Sequence, residues 1–156
     1  MTVFVVTGPP CAGKTTWVRE NADPRDVVID MDALVAALHT GDASHEAPST
    51  LVWRVAMAAR DAAVRKVFSR DGRSVIERAA GAIDVELDAY VIHAVPGRDQ
   101  VRRYLDQGAR ILVVDPGRAT VVARAEAAGR IAAVHNTIAA WYQDASYVAD
   151  RGCRVA

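Results

Sequence analysis

A short β-branched run, Thr2–Thr7 (TVFVVT), leads directly into Gly8-Pro9-Pro10-Cys11-Ala12-Gly13-Lys14-Thr15, and a helical pattern follows over Lys14–Glu20. The apolar run suits a strand buried on both faces. The eight-residue loop matches G-x-x-x-x-G-K-[ST] in the strand–loop–helix setting that this motif requires. Its two glycines allow backbone angles that turn successive N–H groups inward around a phosphate, and the helix adds the positive end of its dipole. The spacing predicts that Gly8, Pro9, Pro10, Cys11, Ala12, Gly13, Lys14, Thr15 and Thr16 cradle a nucleoside triphosphate. Lys14 is expected to reach the β- and γ-phosphates, Thr15 to ligate Mg²⁺ and Thr16 to donate to the α-phosphate. ATP and Mg²⁺ are therefore the expected cofactors.

The remaining pattern switches repeatedly between strand and helix periods. Strands are predicted at Val27–Asp30, Ser74–Glu77, Ala89–Val95 and Arg110–Asp115, in addition to the first. Helices are predicted over Met31–Leu38, Thr50–Ser69, Gly97–Gln107, Arg118–Ala128 and Ile131–Val148, the last two closing the chain. Thr40–Ser49 reads as a loop, with Pro48 where a helix starts. Alternating strands and helices imply an α/β fold of three layers, with a mainly parallel five-stranded sheet between helices. Sites in such sheets lie at the carboxyl ends of the strands. This draws attention to Asp30–Asp32, Glu77–Arg78, His93–Pro96 and Asp115–Arg118.

Composition narrows the function classes. The 156 residues, 51% of them hydrophobic, are enough for a self-sufficient core and are read as one domain spanning 1–156. No apolar run is long enough for a membrane span, and the N-terminus lacks the basic start of a signal peptide, so a cytoplasmic protein is expected. Cys11 and Cys153 do not suggest a disulfide framework, and His39, His45, His93 and His135 show no zinc-ligand spacing. Nineteen basic and nineteen acidic residues cancel, so a polyanion site must be local rather than a whole face. Arginine and alanine dominate where lysine is rare, a usage associated with high-GC coding such as that of actinobacteria and their phages.

Gly8–Glu20 (GPPCAGKTTWVRE) resembles the opening of P-loop kinases, above all the polynucleotide 5′-hydroxyl kinase group, whose loop is followed by Thr-Trp and Arg-Glu. The chain is also similar to small AAA-type ATP-binding proteins of actinobacteria and their phages. The kinase resemblance covers the N-terminal third and implies the strand order 2-3-1-4-5. It also implies that an aspartate just after the second strand is the general base for the acceptor hydroxyl, and Asp32 falls there. A carboxylate at that strand end has the chemistry to accept the hydroxyl proton during in-line transfer. Asp30 is a candidate for acceptor binding or for the second shell of magnesium. Val35 stands where the polynucleotide kinases carry an arginine that grips the acceptor's phosphate, so a nucleic-acid phosphate would need another partner here.

Absences separate this chain from other P-loop classes. It has no Asn-Lys-x-Asp base-reading motif, and its predicted third strand ends in Glu77-Arg78 rather than paired carboxylates. Glu77 is a candidate magnesium residue acting through water. Arg124 and Arg130, flanking Ala-Glu-Ala-Ala-Gly, fall where P-loop kinases carry lid arginines, and Arg118 is a candidate for the nucleotide end. The acceptor side draws on His45, Glu46, Trp53, Arg54, Met57, Arg78 and His93, although Trp53 and Met57 read as core, and His93 as a structural histidine. Trp141 and Tyr142 read as packing. The expected activity is transfer of the γ-phosphoryl group of ATP to a nucleoside, nucleotide or polynucleotide 5′-hydroxyl. The alternatives are a small non-nucleic acceptor, such as an antibiotic or sugar, and an ATP-binding or ATPase module that transfers nothing.

Overall fold

A computed structural model describes residues 1–40, 48–69, 78, 87–144, 148 and 152–155. Its elements run β1 (Val3–Thr7), α1 (Lys14–Asn21), β2 (Val27–Ile29), α2 (Met31–Leu38), α3 (Thr50–Phe68) and β3 (Ala89–Ile92). They continue with α4 (Arg98–Asp106), β4 (Arg110–Val113), α5 (Arg118–Ala127), α6 (Ala132–Asp144) and β5 (Cys153–Arg154). Every strand pairing is parallel, and the order is β2-β3-β1-β4-β5. Val5 lies opposite Val91 on one side and Ile111 on the other, which places β1 and its loop at the centre of the sheet.

The expected architecture and strand order are present, although the strands that fill it differ from those expected. Ser74–Glu77 lies outside the described residues. The third strand of the sheet is instead Ala89–Ile92, and the fifth is Cys153–Arg154, so the chain does not close on its two helices. Leu112 pairs with Cys153, and Val113 with Arg154. Arg78, expected at a strand end, is helical and exposed.

Side-chain alternation along the strands builds one core on each face. Val3, Val5, Val91, Ile111 and Val113 pack with Val67 of α3, Val101 and Tyr104 of α4, and Trp141 of α6. On the opposite face, Val6, Tyr90, Ile92 and Val114 pack with Val18 of α1, Val121 and Ala125 of α5, and Ile138 of α6. Trp141 is buried as expected. Trp53 and Met57 are not: they are 46% and 40% exposed, because the side that α3 buries is the one carrying Ala56, Arg60 and Val67.

Asp115, just past β4, ties three segments together. Its buried carboxylate accepts hydrogen bonds from the Gly117 amide at 3.0 Å, the Trp141 indole at 3.3 Å and the Tyr142 hydroxyl at 2.5 Å. Arg154 of β5 lies 3.9 Å away. Burial, followed by the bond to Asp115, pushes the Tyr142 hydroxyl pKa upward, which keeps it a donor. Asp115→Ala is expected to destabilise the fold by about 3 kcal/mol, because it strands buried donors that had a charged acceptor. Urea unfolding followed by tryptophan fluorescence checks this, and an unchanged midpoint would contradict it.

Candidate functional site

The loop after β1 threads between the ends of β3 and β4. The Gly8 amide donates to the Ala94 carbonyl at 3.1 Å, and the Val114 amide donates to Thr7 at 2.8 Å. A Cβ at Gly8 would stand 2.0 Å from the Val114 carbonyl oxygen, so no larger residue fits. Gly13 caps α1 with φ of 96°, a left-handed conformation that favours glycine. Cys11 adopts φ of 62° without being glycine, so the loop holds a conformation that costs energy.

Lys14 folds back over this loop. Its ammonium donates to the carbonyls of Gly8 at 3.0 Å and Pro9 at 2.7 Å, and the side chain is buried. Burial pushes its pKa down to about 8, against the opposing pull of negative charge at Asp32, Cys11 and Asp30. The Thr15 hydroxyl donates to Asp30 at 2.8 Å. The other oxygen of Asp30 accepts from the Asp32 amide at 3.0 Å, which caps α2. One buried carboxylate therefore fixes both the hydroxyl at the start of α1 and the helix that carries Asp32.

These groups converge on a cleft of about 420 Å³ whose walls include Pro10, Cys11, Gly13, Lys14, Thr15, Thr16, Asp30, Asp32 and Arg130. Ile92, Ala94 and Val134 supply apolar wall. Among the predicted residues, the structure thus brings together Pro10, Cys11, Gly13, Lys14, Thr15, Thr16, Asp30, Asp32 and Arg130. Gly8, Pro9 and Ala12 are buried behind the loop surface. Arg118 is exposed on the first turn of α5 and is not among the described residues lining this cleft. Arg124 donates to the Ala12 carbonyl at 3.2 Å and reaches Cys11 at 3.5 Å, so it braces the loop through its backbone. Glu77, His45 and Glu46 lie outside the described residues. His93 shares a 3.0 Å hydrogen bond with the Tyr104 hydroxyl, and burial, reinforced by Arg60, holds its pKa near 4. Val35 is buried in α2.

The donors suit a hard cation. The Thr15 hydroxyl and the Asp30 carboxylate are oxygen donors of the type Mg²⁺ prefers, with phosphate oxygens and water completing such sites. Among the described residues no group of three or more His, Cys, Asp and Glu side chains could hold a metal alone. A metal here would be shared with a bound nucleotide.

A family model described as an AAA domain (AAA_33) matches residues 3–144, nearly the whole chain. The chain belongs to this AAA domain family. Its phosphate loop and parallel sheet make it a nucleotide-binding P-loop protein of kinase- or ATPase-like type. No curated protein matches it. Among solved structures, this AAA domain is similar to the crystal structure of TT1252 from Thermus thermophilus, with 17% identity and a TM-score of 0.49. The match covers 99% of this chain and 86% of that one. No helix among the described residues is long and apolar enough to cross a membrane.

A phosphate grip by Lys14 would give nucleotide binding a pH dependence. Phosphates attract the charged form and raise its pKa in the complex, so binding above about pH 8 takes up a proton. Affinity is expected to fall as pH rises through 8, by at most about tenfold per unit. Calorimetry in two buffers of different ionisation enthalpy reads the uptake directly, and its absence at pH 9 would contradict the assignment.

Proposed function

We propose that this AAA domain is an ATP-dependent phosphotransferase that moves the γ-phosphoryl group to a hydroxyl acceptor. The acceptor class favoured is a nucleoside, nucleotide or polynucleotide 5′-hydroxyl. The observation that carries the reading is the placement of Asp32 in one cleft with Lys14 and Thr15, on a helix fixed by the same carboxylate that binds Thr15. A purely binding module has no need of a second carboxylate beside the lysine, whereas a hydrolysing one would use it to activate water.

In the proposed reaction Asp32 accepts the acceptor's hydroxyl proton as its oxygen bonds to the γ-phosphorus. The bond from that phosphorus to the bridging oxygen breaks, and ADP leaves. Lys14 turns from the Gly8 and Pro9 carbonyls to the phosphates and stabilises their developing charge. Arg130, from the cleft wall, supplies a second positive charge to the same oxygens. Thr15 and Asp30 would hold Mg²⁺, Thr15 directly and Asp30 through the hydroxyl or water. The metal would neutralise phosphate charge. Arg124 braces the loop by donating to the Ala12 carbonyl.

A small non-nucleic acceptor is the second reading. It is favoured by Val35, which offers no charge at the position where polynucleotide kinases hold an acceptor phosphate. Incubation with Mg-ATP and a panel of 5′-hydroxyl oligonucleotides, nucleosides, nucleoside monophosphates, sugars and aminoglycosides tests both readings. Mass spectrometry is expected to find one acceptor heavier by a phosphoryl group, absent with Lys14→Ala. ATP binding without any phosphorylated product would favour the non-transferring module.

A further inference from the structure

Away from the phosphate loop, a groove of about 500 Å³ lies between α3 and α4. Among the described residues its walls carry Arg60 and Arg65 from α3, and Gln100, Arg103 and Gln107 from α4. Phe68 and Tyr104, stacked with ring centres 5.7 Å apart, form part of its apolar wall. Asp61 is the only acidic residue among the described residues lining it.

Arg60 is the unusual member. It is only 8% exposed, and burying a guanidinium costs several kcal/mol unless its donors are satisfied. A guanidinium has five N–H donors. Here one reaches the Ile92 carbonyl, at a long 3.4 Å, and another lies 3.8 Å from Asp61, itself half exposed. Neither contact is a strong charge-assisted bond, which would be nearer 2.8 Å. Arg65 and Arg103 stand exposed on opposite sides of the groove, one on each helix. Nothing in the core requires three arginines here: Val67, Val101 and Tyr104 already seal this face of the sheet.

We infer that this groove is a second anion site, which takes a phosphate-bearing ligand of nucleotide size. Arg60 supplies a desolvated fork at the floor, and Arg65 and Arg103 supply charge from the two walls. Guanidinium groups match phosphate oxygens in pairs, and a volume of a few hundred Å³ suits a nucleotide. Gln100 adds a neutral donor and acceptor. The inference does not depend on phosphoryl transfer, because among the described residues the groove shares no lining residue with the phosphate-loop cleft.

The test titrates the whole protein with pyrophosphate and, separately, with a short oligothymidylate, in the presence of Mg²⁺ and saturating non-hydrolysable ATP analogue. The expected result is a further equivalent of binding for at least one probe, retained in Lys14→Ala without the analogue. The double variant Arg65→Ala/Arg103→Ala, altered only at exposed positions, is expected to weaken it at least about tenfold and to flatten its salt dependence. Arg102→Ala, an exposed arginine of α4 outside the groove, is expected to leave it unchanged. Preference for pyrophosphate would identify a free phosphate or nucleotide as the ligand type, and preference for the oligonucleotide would identify a nucleic-acid backbone. Loss of the extra equivalent on filling the phosphate loop, or indifference to the double variant, would overturn the inference.

Discussion

Lys14→Ala is expected to abolish measurable ATP binding and to lower any phosphoryl transfer by about a thousandfold or more, the scale seen when a charge-stabilising group is removed from a reaction centre. The ammonium is poised at the base of the cleft and held by two carbonyls of the loop itself. Those carbonyls are weak competitors for phosphate oxygens, so the side chain can change partner without rearrangement of β1 or α1. Stability should respond differently from binding. With a folded pKa of about 8 against an ordinary 10.5, the unfolded chain binds more protons between those values. The cost of burying the charge is therefore fully present below pH 8 and is relieved as pH rises toward 10.5. Lys14→Met keeps the apolar stem and removes the charge. It is expected to melt no lower than the parent at pH 7 while losing nucleotide affinity as completely as the alanine variant. Retention of ATP affinity within a few-fold in Lys14→Met, measured by calorimetry, would remove Lys14 from the proposed mechanism.

The centre of this fold was legible because its local signals agree. A β-branched run, two glycines under opposite constraints and a helical pattern leave one reading of Thr2–Glu20, and Met31–Leu38 is bounded as expected because Asp30 caps it. The edge was not legible. Cys153–Arg154 is two exposed residues long, too short for any period, and its placement depends on contact rather than pattern. The available signal was Gly152: a Cβ there would lie 2.7 Å from a Val113 methyl, so only glycine lets the chain approach β4. Asp115 shows the same limit from the opposite side. Its position at a strand end suggests chemistry, whereas its partners Trp141, Tyr142 and Arg154 are distant in sequence and make it a structural tie. Arg124 was expected as a lid arginine from its place after the fifth predicted strand, but its bond to the Ala12 carbonyl joins residues 112 apart in sequence, a contact that no local pattern specifies. On α3, helical spacing put Trp53 and Met57 on a core face, but the face that packs is the one carrying Ala56, Arg60 and Val67.

Asp32→Asn is expected to lower phosphoryl transfer about a thousandfold, within the range of a lost general base, while changing ATP affinity less than about threefold. The two aspartates of this turn divide the work. Asp30 is buried, caps α2 and fixes Thr15, so Asp30→Asn is expected to weaken magnesium-dependent nucleotide binding and to lower stability. Asp32 carries an exposed carboxylate in the first turn of α2, and its backbone rather than its side chain completes the cap. Its removal costs the helix a favourable dipole contact of a few tenths of a kcal/mol up to about 1 kcal/mol. A defect that appears in kcat, with KM for ATP and melting temperature nearly intact, therefore separates base catalysis from capping. Full transfer by Asp32→Asn would leave Asp32 a helix-end residue, and the proton would have to go to another group or to water.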